Sequence, residues 1–151
     1  MNGLNTIFTI IYMENNVVYF DGFCNLCNAL LHFLIKYDSD KNLLFSWSKS
    51  DYATLTLPEN VLENTETSII FYRNGNFYKK SEAVFEILKQ INSPIKFLSY
   101  LSFIPLKYTD YLYDVISKNR YKIFGRKNVC TIPSNFDEDR FRNNTLKSAK
   151  L

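Results

Sequence analysis

Glycine, proline and cysteine are all scarce in this chain of 151 residues, which has four Gly, four Pro and three Cys. So little glycine and proline excludes a collagen-like chain and argues against extensive disorder. Three cysteines are too few, and odd in number, for the disulfide framework of a small secreted domain. No apolar run approaches the roughly 18 residues of a membrane-spanning helix, so we expect no stable membrane insertion. The start also lacks the basic region and cleavage site of a signal peptide. We therefore expect a cytoplasmic globular protein.

Acidic residues are scarce in the second half of the chain. Residues 1–72 contain 3 basic and 8 acidic residues, whereas residues 73–151 contain 15 basic and 7 acidic residues. The two balances, −5 and +8, add up to the net charge of +3. A basic half can attract anionic partners. Because no nucleic-acid-binding motif accompanies these charges, we expect a solvated basic surface and no nucleic-acid partner.

The apolar pattern predicts strands alternating with helices, followed by helices alone. Strands are expected at residues 17–20, 43–47, 68–72 and 77–79, and Asn74-Gly75 predicts a tight turn between the last two. Helices are expected at residues 26–37, 52–55, 82–91, 94–103 and 106–124. Ser81 is the predicted N-cap of the third helix, and Gly125 is the predicted stop of the last one.

This order predicts an α/β fold, a thioredoxin-like mixed four-stranded sheet with additional C-terminal helices. The strand–helix–strand unit makes the first two strands parallel, and the tight turn makes the last two antiparallel. We expect one domain over residues 17–133, whose helical part starts at about residue 93. Residues 1–16 would form an N-terminal extension, and residues 134–151 a loose polar tail.

Two cysteines of a Cys-x-x-Cys motif, Cys24 and Cys27, lie where the first predicted strand gives way to the first helix. Residues three apart in a helical turn can bring their sulfur atoms within disulfide reach. Backbone N–H groups and the helix dipole at a helix N-terminus stabilise a thiolate. We therefore predict a thiol–disulfide oxidoreductase in which Cys24 is the nucleophile and Cys27, more buried, is the resolving thiol. This chemistry needs no metal and no organic cofactor.

Two other classes of protein remain open for the same motif. A zinc-stabilised module would need two more ligands, and Cys130 and His32 are the remaining cysteine and histidine. His32 lies five residues after Cys27, on another side of the helix, so we expect a helix-surface or semi-buried residue without a catalytic role. A thioredoxin-like protein-binding module without redox turnover is the second alternative. A lowered Cys24 pKa would favour catalysis, and an ordinary pKa of about 8.5 would favour the module.

Four further residues are candidates for supporting roles. Asp21 either caps the turn before the motif or accepts a proton from the thiols. Gly22 supplies a backbone conformation or a close approach in that turn. Arg120 either approaches the thiols or an anionic partner, or is one of several cations at a helix C-terminus. Cys130 is either a packed core residue or a third thiol, which the segment after Gly125 would bring back to the first helix.

The run Tyr-Phe-Asp-Gly-Phe-Cys-Asn-Leu-Cys at residues 19–27 resembles the opening motif of the DCC family of thiol–disulfide oxidoreductases. Residues 80–84 are similar to the family's basic-Ser-acidic-Ala segment. Residues 110–125 and Cys130-x-x-Pro133 resemble its C-terminal signature, so the resemblance covers about residues 17–133. It implies a thioredoxin-like fold and a thiol or disulfide substrate, either a protein or a small molecule.

One feature of thioredoxins is missing from the predicted fold. Thioredoxins have a cis-proline just before the third strand, facing the thiols. The corresponding residues here, Glu66-Thr67-Ser68, include no proline. The sequence therefore gives no support for docking of a substrate peptide by that route.

Overall fold

The computed structural model describes residues 14–63, 68–128 and 138–142, in which four strands form one mixed sheet. The strands are β1 (Val17–Phe20), β2 (Leu44–Trp47), β3 (Ile70–Arg73) and β4 (Asn76–Lys79), in the order β2-β1-β3-β4. β1 pairs in parallel with β2 and antiparallel with β3, and β3 pairs antiparallel with β4. The predicted α/β, thioredoxin-like fold class is confirmed.

Helices follow the strands in nearly the predicted positions. They are α1 (Asn25–Tyr37), α2 (Asp51–Thr56), α3 (Glu59–Leu62), α4 (Lys80–Gln90), a 3₁₀ helix (Pro94–Phe103) and α5 (Leu106–Phe124). The single-turn α3 was not predicted, because four residues are too few for an apolar period to show. α5 packs against α4 and α1. None of the helices in the described residues is long and apolar enough to cross a bilayer.

The central strands are buried on both faces of the sheet, which explains their continuous apolar sequences. In β1, Val18 and Phe20 face a core shared with α1 and α4, whereas Val17 and Tyr19 face a second core shared with α2 and α3. The sheet is therefore the middle layer between two sets of helices. This arrangement holds the end of β1, and the start of α1 after it, in a rigid setting.

Ser81 does not cap α4, contrary to the prediction. The helix begins one residue earlier, at Lys80, and has no side-chain cap. The Ser81 hydroxyl instead donates to Asp110 Oδ1 and lies 2.9 Å from the Thr109 hydroxyl, while its backbone N–H donates to the same Asp110 oxygen. Ser81 therefore joins α4 to α5 rather than ending a helix.

Residues 138–142 pack against β2, which differs from the loose tail expected there. Phe141 is buried among the core residues, and its backbone forms a parallel bridge with Phe45. The Arg142 N–H donates to the Phe45 carbonyl at 2.8 Å, and the Ser46 hydroxyl donates to the Arg142 carbonyl at 2.8 Å. The segment is ordered despite its polar composition, because Phe141 is buried in the core and Arg142 bonds to β2.

Candidate active site

The Cys-x-x-Cys motif lies at the start of α1, as predicted. Cys24 is the N-cap residue, with extended backbone (φ −85°, ψ 124°), and its Sγ accepts the Cys27 N–H at 3.5 Å. The Asn28 side-chain amide donates to the Gly22 carbonyl at 3.0 Å and to the Cys24 carbonyl at 3.1 Å. Gly22 does not have a positive φ. The turn is therefore fixed through the Gly22 carbonyl and not through a left-handed glycine.

The burial of the two cysteines is the reverse of the expectation. Cys24 has no exposed surface, whereas Cys27 is partly exposed. The prediction was wrong because it considered the helix alone. In the structure, a segment from the far end of the chain lies against the residues around Cys24.

That segment, residues 125–128, is named here the strap. Arg126 forms an antiparallel bridge with Cys24, and the Lys127 N–H donates to the Phe23 carbonyl at 2.7 Å. The Asn25 side-chain amide donates to the carbonyl of Phe124, the last residue of α5, at 2.8 Å. The strap requires a glycine at 125, because φ there is +80° and a Cβ would lie 3.1 Å from Asn25 Nδ2.

The two cysteines have opposite pKa shifts. A hydrogen bond from the Cys27 side chain is the largest influence on the pKa of Cys24, and it lowers it. Burial opposes this shift, and the N–H groups of Cys27 and Leu26, together with the positive charge of Arg120, support it, so that the Cys24 pKa falls to about 6. The same hydrogen bond, burial and the Cys24 charge raise the pKa of Cys27. The arrangement is one thiolate beside one thiol.

An ion pair stands beside the thiols. Arg120 is buried in α5, and its Nη2 lies 3.2 Å from Asp21 Oδ2. The Tyr121 hydroxyl donates to the same Asp21 oxygen, while Asp21 Oδ1 accepts the Phe23 N–H at 3.0 Å. The capping interpretation of Asp21 is therefore seen directly. The charge of Arg120 favours the thiolate form of both cysteines. Arg120 also lines the same cavity as Cys27.

Other residues of the sequence motifs meet on the same side of the sheet. Lys80 Nζ lies 2.9 Å from Asp114 Oδ2, and the Tyr113 hydroxyl accepts the Ile69 N–H at 2.8 Å. Burial raises the pKa of Tyr113 to about 12. Segments that are widely separated in the sequence thus support α5, and α5 presents Arg120 to the thiols.

Two cavities open beside the motif and share Asp21, Ser117 and Arg120 in their walls. The first cavity, of about 260 Å³, is apolar and has Cys27 in its lining together with Leu30. The second cavity, of about 560 Å³, is polar and lies on the side of the strap. The Asp21–Arg120 pair is therefore the partition between an apolar and a charged space.

The remaining candidates have different outcomes. His32 is exposed, as expected. Cys130 lies outside the described residues, so its role stays a prediction. Within residues 14–63, 68–128 and 138–142, no three His, Cys, Asp or Glu side chains are grouped closely enough to hold a metal ion.

Sequence reasoning missed several residues of this site. Tyr121, Tyr113, Asn25 and Asn28 all bind other parts of the site, but they were considered as core or helix residues or were not considered. The signal of Tyr121, Tyr113 and Asn25 was their position inside one of the family-like motifs, and Asn28 directly follows the first motif. Assigning all the polar side chains of these motifs to the site would have identified most of these residues.

The fold and the site together define a thioredoxin-like domain with a dithiol at a helix N-terminus. The model of the DCC1-like thiol-disulfide oxidoreductase family matches residues 18–126, and the chain belongs to that family. The uncharacterized protein YuxK of Bacillus subtilis is 35% identical over 130 residues, which cover 85% of this chain and 95% of YuxK. The chloroplastic DCC family protein At1g52590 of Arabidopsis thaliana is 35% identical over 118 residues, covering 77% and 69% of the two chains. No solved structure matches the chain.

Proposed function

We propose that this protein is a thiol–disulfide oxidoreductase in which Cys24 attacks and Cys27 resolves. The family supports a redox role. The observation that carries the proposal is the Cys24 Sγ at the N-terminus of α1, with its pKa lowered to about 6 by Cys27, backbone N–H groups and Arg120. A lowered pKa, with a thiolate at neutral pH, is typical of reactive cysteines and not of inert structural ones. This observation favours turnover over a binding module.

The proposed exchange moves two electrons from the dithiol to a substrate disulfide. The Cys24 thiolate attacks one substrate sulfur, the substrate S–S bond breaks, and one substrate thiolate leaves. Cys27 then gives its proton to that thiolate and attacks Cys24 Sγ, which releases the second substrate thiolate. The products are a Cys24–Cys27 disulfide, one thiol and one thiolate. The reverse sequence oxidises a dithiol substrate.

The opposite pKa shifts suit this order of events. Much of the rise in the Cys27 pKa comes from its contact with the Cys24 thiolate and from the charge of that thiolate. The charge disappears once Cys24 is in a mixed disulfide. Cys27 therefore becomes easier to deprotonate at the step in which it must attack.

Access to Cys24 requires a local movement of its surroundings. Because Cys24 has no exposed surface, a substrate sulfur reaches Sγ only when neighbouring residues shift. The substrate is a protein or small-molecule disulfide or thiol. The prediction of a cytoplasmic location is untested, and the name of the plant relative places that protein in the chloroplast.

The test is disulfide exchange by cysteine variants of the full chain. We expect Cys24→Ser to abolish reduction of a model disulfide, and Cys27→Ser to accumulate a mixed disulfide visible by mass spectrometry. Cys130→Ala is the matched control, and its activity separates a packing role from a third thiol. Full activity in Cys24→Ser would exclude the proposal.

A further inference from the structure

The polar cavity beside the dithiol is strongly basic. Five of its lining side chains are cationic and two are carboxylates, Asp21 and Asp114. Both carboxylates already have cationic partners, Arg120 and Lys80. Lys118 and Arg126 form no ion pair among the described residues, so their positive charges face the space itself. The cations are Lys49, Lys80, Lys118, Arg120 and Arg126.

Arg126 is held in a fixed position in this cavity. Its guanidinium lies over the rings of Phe23 and Tyr121, with its carbon 5.7 Å and 5.4 Å from the two ring centres. Its backbone is the bridge partner of Cys24. A guanidinium placed over aromatic rings keeps N–H groups for an anion and loses little freedom on binding.

Two of the five cations keep their charge available for a ligand. Among the residues that the structure describes, neither Lys118 nor Arg126 forms an ion pair. Arg120, which is buried, forms the shared wall between this cavity and the one at Cys27. An anion in the cavity would thus lie across the Asp21–Arg120 wall from the cavity that Cys27 lines, with cations on several sides.

Two observations favour a small molecule over an extended peptide as the ligand. The Ile69 N–H, just before β3, is a donor that an added peptide strand could use, but it already donates to the Tyr113 hydroxyl. The cavity volume of about 560 Å³ falls in the range of small-molecule sites.

We propose that this basic cavity binds the carboxylate groups of a low-molecular-weight thiol or disulfide and so selects anionic substrates for the dithiol. Lys118 and Arg126 are the binding residues, and Arg120 completes the wall next to the sulfur atoms. The inference rests on the proposed function for its chemistry. The binding step itself does not depend on turnover.

The kinetic test compares two chromogenic disulfides in single-turnover reactions with the reduced protein. One is 5,5′-dithiobis(2-nitrobenzoic acid), which has two carboxylates, and the other is the uncharged 2,2′-dithiodipyridine. We expect the double variant Lys118→Gln/Arg126→Gln to slow the first reaction about tenfold or more, since each charge-assisted contact contributes on that scale. The ratio of the two rates is the readout, because any change in access to Cys24 affects both reactions.

The matched control is Lys96→Gln/Lys107→Gln, which removes two exposed positive charges outside the cavity. We expect this variant to leave the rate ratio nearly unchanged. An equal fall in the rate ratio in both variants would show that the effect comes from the net charge alone, and it would overturn the proposal. An unchanged ratio in the cavity variant would also overturn it.

A binding measurement separates this proposal from the proposed function. S-methylglutathione has two carboxylates and no reactive sulfur, so its NMR titration reports binding alone. We expect it to shift signals of the cavity residues in the wild-type protein and in Cys24→Ser, and about tenfold weaker binding in the cavity variant. Binding by a protein without exchange activity would disprove the proposed function and keep the anion site. If the wild-type protein shows no binding, or if the cavity variant binds as tightly as the wild-type protein, the proposed anion site is wrong.

Discussion

Two buried aspartate–arginine pairs stand at opposite ends of α1, and they have different surroundings. Asp21 and Arg120 pair before the helix, and Asp38 and Arg140 pair after it. Each pair joins the βαβ unit to a segment about a hundred residues away. At each end of α1, one aspartate and one arginine therefore connect parts of the chain that are far apart in the sequence.

The Asp38–Arg140 pair is closed: it is buried and hydrogen-bonded to the backbone groups around it. Asp38 has 1% exposure, and its two oxygens accept the N–H groups of Asn42 at 3.0 Å and Leu43 at 2.9 Å. Arg140 also donates to the Leu43 carbonyl at 3.0 Å and lies over the ring of Phe45. Within the described part of the chain, backbone groups and one aromatic ring surround this pair, so its surroundings are structural.

The Asp21 pair instead faces the dithiol and two cavities. Its charges act on the cysteines, and part of its surface is open to a ligand. The comparison teaches that a buried ion pair is not by itself a sign of function. What it faces decides whether its charge affects stability alone or chemistry as well.

The largest effect is expected from breaking the closed pair. Arg140→Met leaves the Asp38 carboxylate buried without its cation, which typically costs about 3–5 kcal/mol of unfolding free energy. Urea denaturation measures this loss. The control is Arg142→Met, whose partner Glu14 is more exposed, and we expect about 1 kcal/mol or less there. Equal losses in both variants would contradict the closed-pair interpretation.

The pH dependence of thiol reactivity tests the other end of α1. Because the Cys24 pKa is lowered to about 6, Cys24 is mostly thiolate at pH 7 and becomes protonated as the pH falls through 6. Alkylation and exchange should therefore hold a plateau above pH 7 and fall about tenfold per unit well below pH 6. Arg140→Met should keep this midpoint. A midpoint of about 8.5 would show that the site does not stabilise the thiolate.

Removing either charge of the Asp21 pair should shift a cysteine pKa, and the two substitutions should act in opposite directions. Arg120→Gln removes a positive charge and should raise the Cys24 pKa, but not to that of a free thiol, because the hydrogen bond from Cys27 is the larger influence. Asp21→Asn removes a negative charge and should lower the Cys27 pKa. Thiolate absorbance against pH measures both shifts. Asp38→Asn is the matched control, and a shift of similar size there would contradict the comparison.

The smallest effect is expected from Tyr121→Phe. This change removes the hydroxyl that donates to Asp21 and accepts from Arg120 Nη2 at 3.2 Å, and it keeps the ring beneath Arg126. Loss of these two hydrogen bonds at a partly exposed hydroxyl costs about 1 kcal/mol. Thermal or urea unfolding measures it, and Tyr108→Phe, on the exposed side of α5, should cost less than about 0.5 kcal/mol. A larger loss in Tyr108→Phe would place the stabilising contact elsewhere.

Local signals were enough to predict most of the fold. The apolar runs, the Asn74-Gly75 turn and the Gly125 stop mark element ends by short-range chemistry, so the sheet and the place of Cys24 followed from them. Ser81 was misassigned because its partner Asp110 lies 29 residues away. A capping pattern cannot show that a more distant carboxylate competes for the hydroxyl.

The burial of Cys24 and the ion pair between Asp38 and Arg140 could not be predicted from the sequence for the same reason. Asp38 comes directly after the first predicted helix, and its arginine is 102 residues away. The strap that pairs with Cys24 was predicted to return toward the first helix only as one hypothesis about Cys130. Contacts of this range depend on the whole fold, and no local period encodes them.

The pairing of Phe141 and Arg142 with β2 has a consequence for how molecules of this protein meet in solution. β2 is an outer strand of the sheet, and an outer strand exposes a row of unpaired N–H and C=O groups that can recruit a strand from another molecule. Here the Phe45 carbonyl is already occupied by the Arg142 N–H. The last described residues of the chain thus act as a guard against edge-to-edge aggregation, and a chain cut before residue 138 would lose that protection.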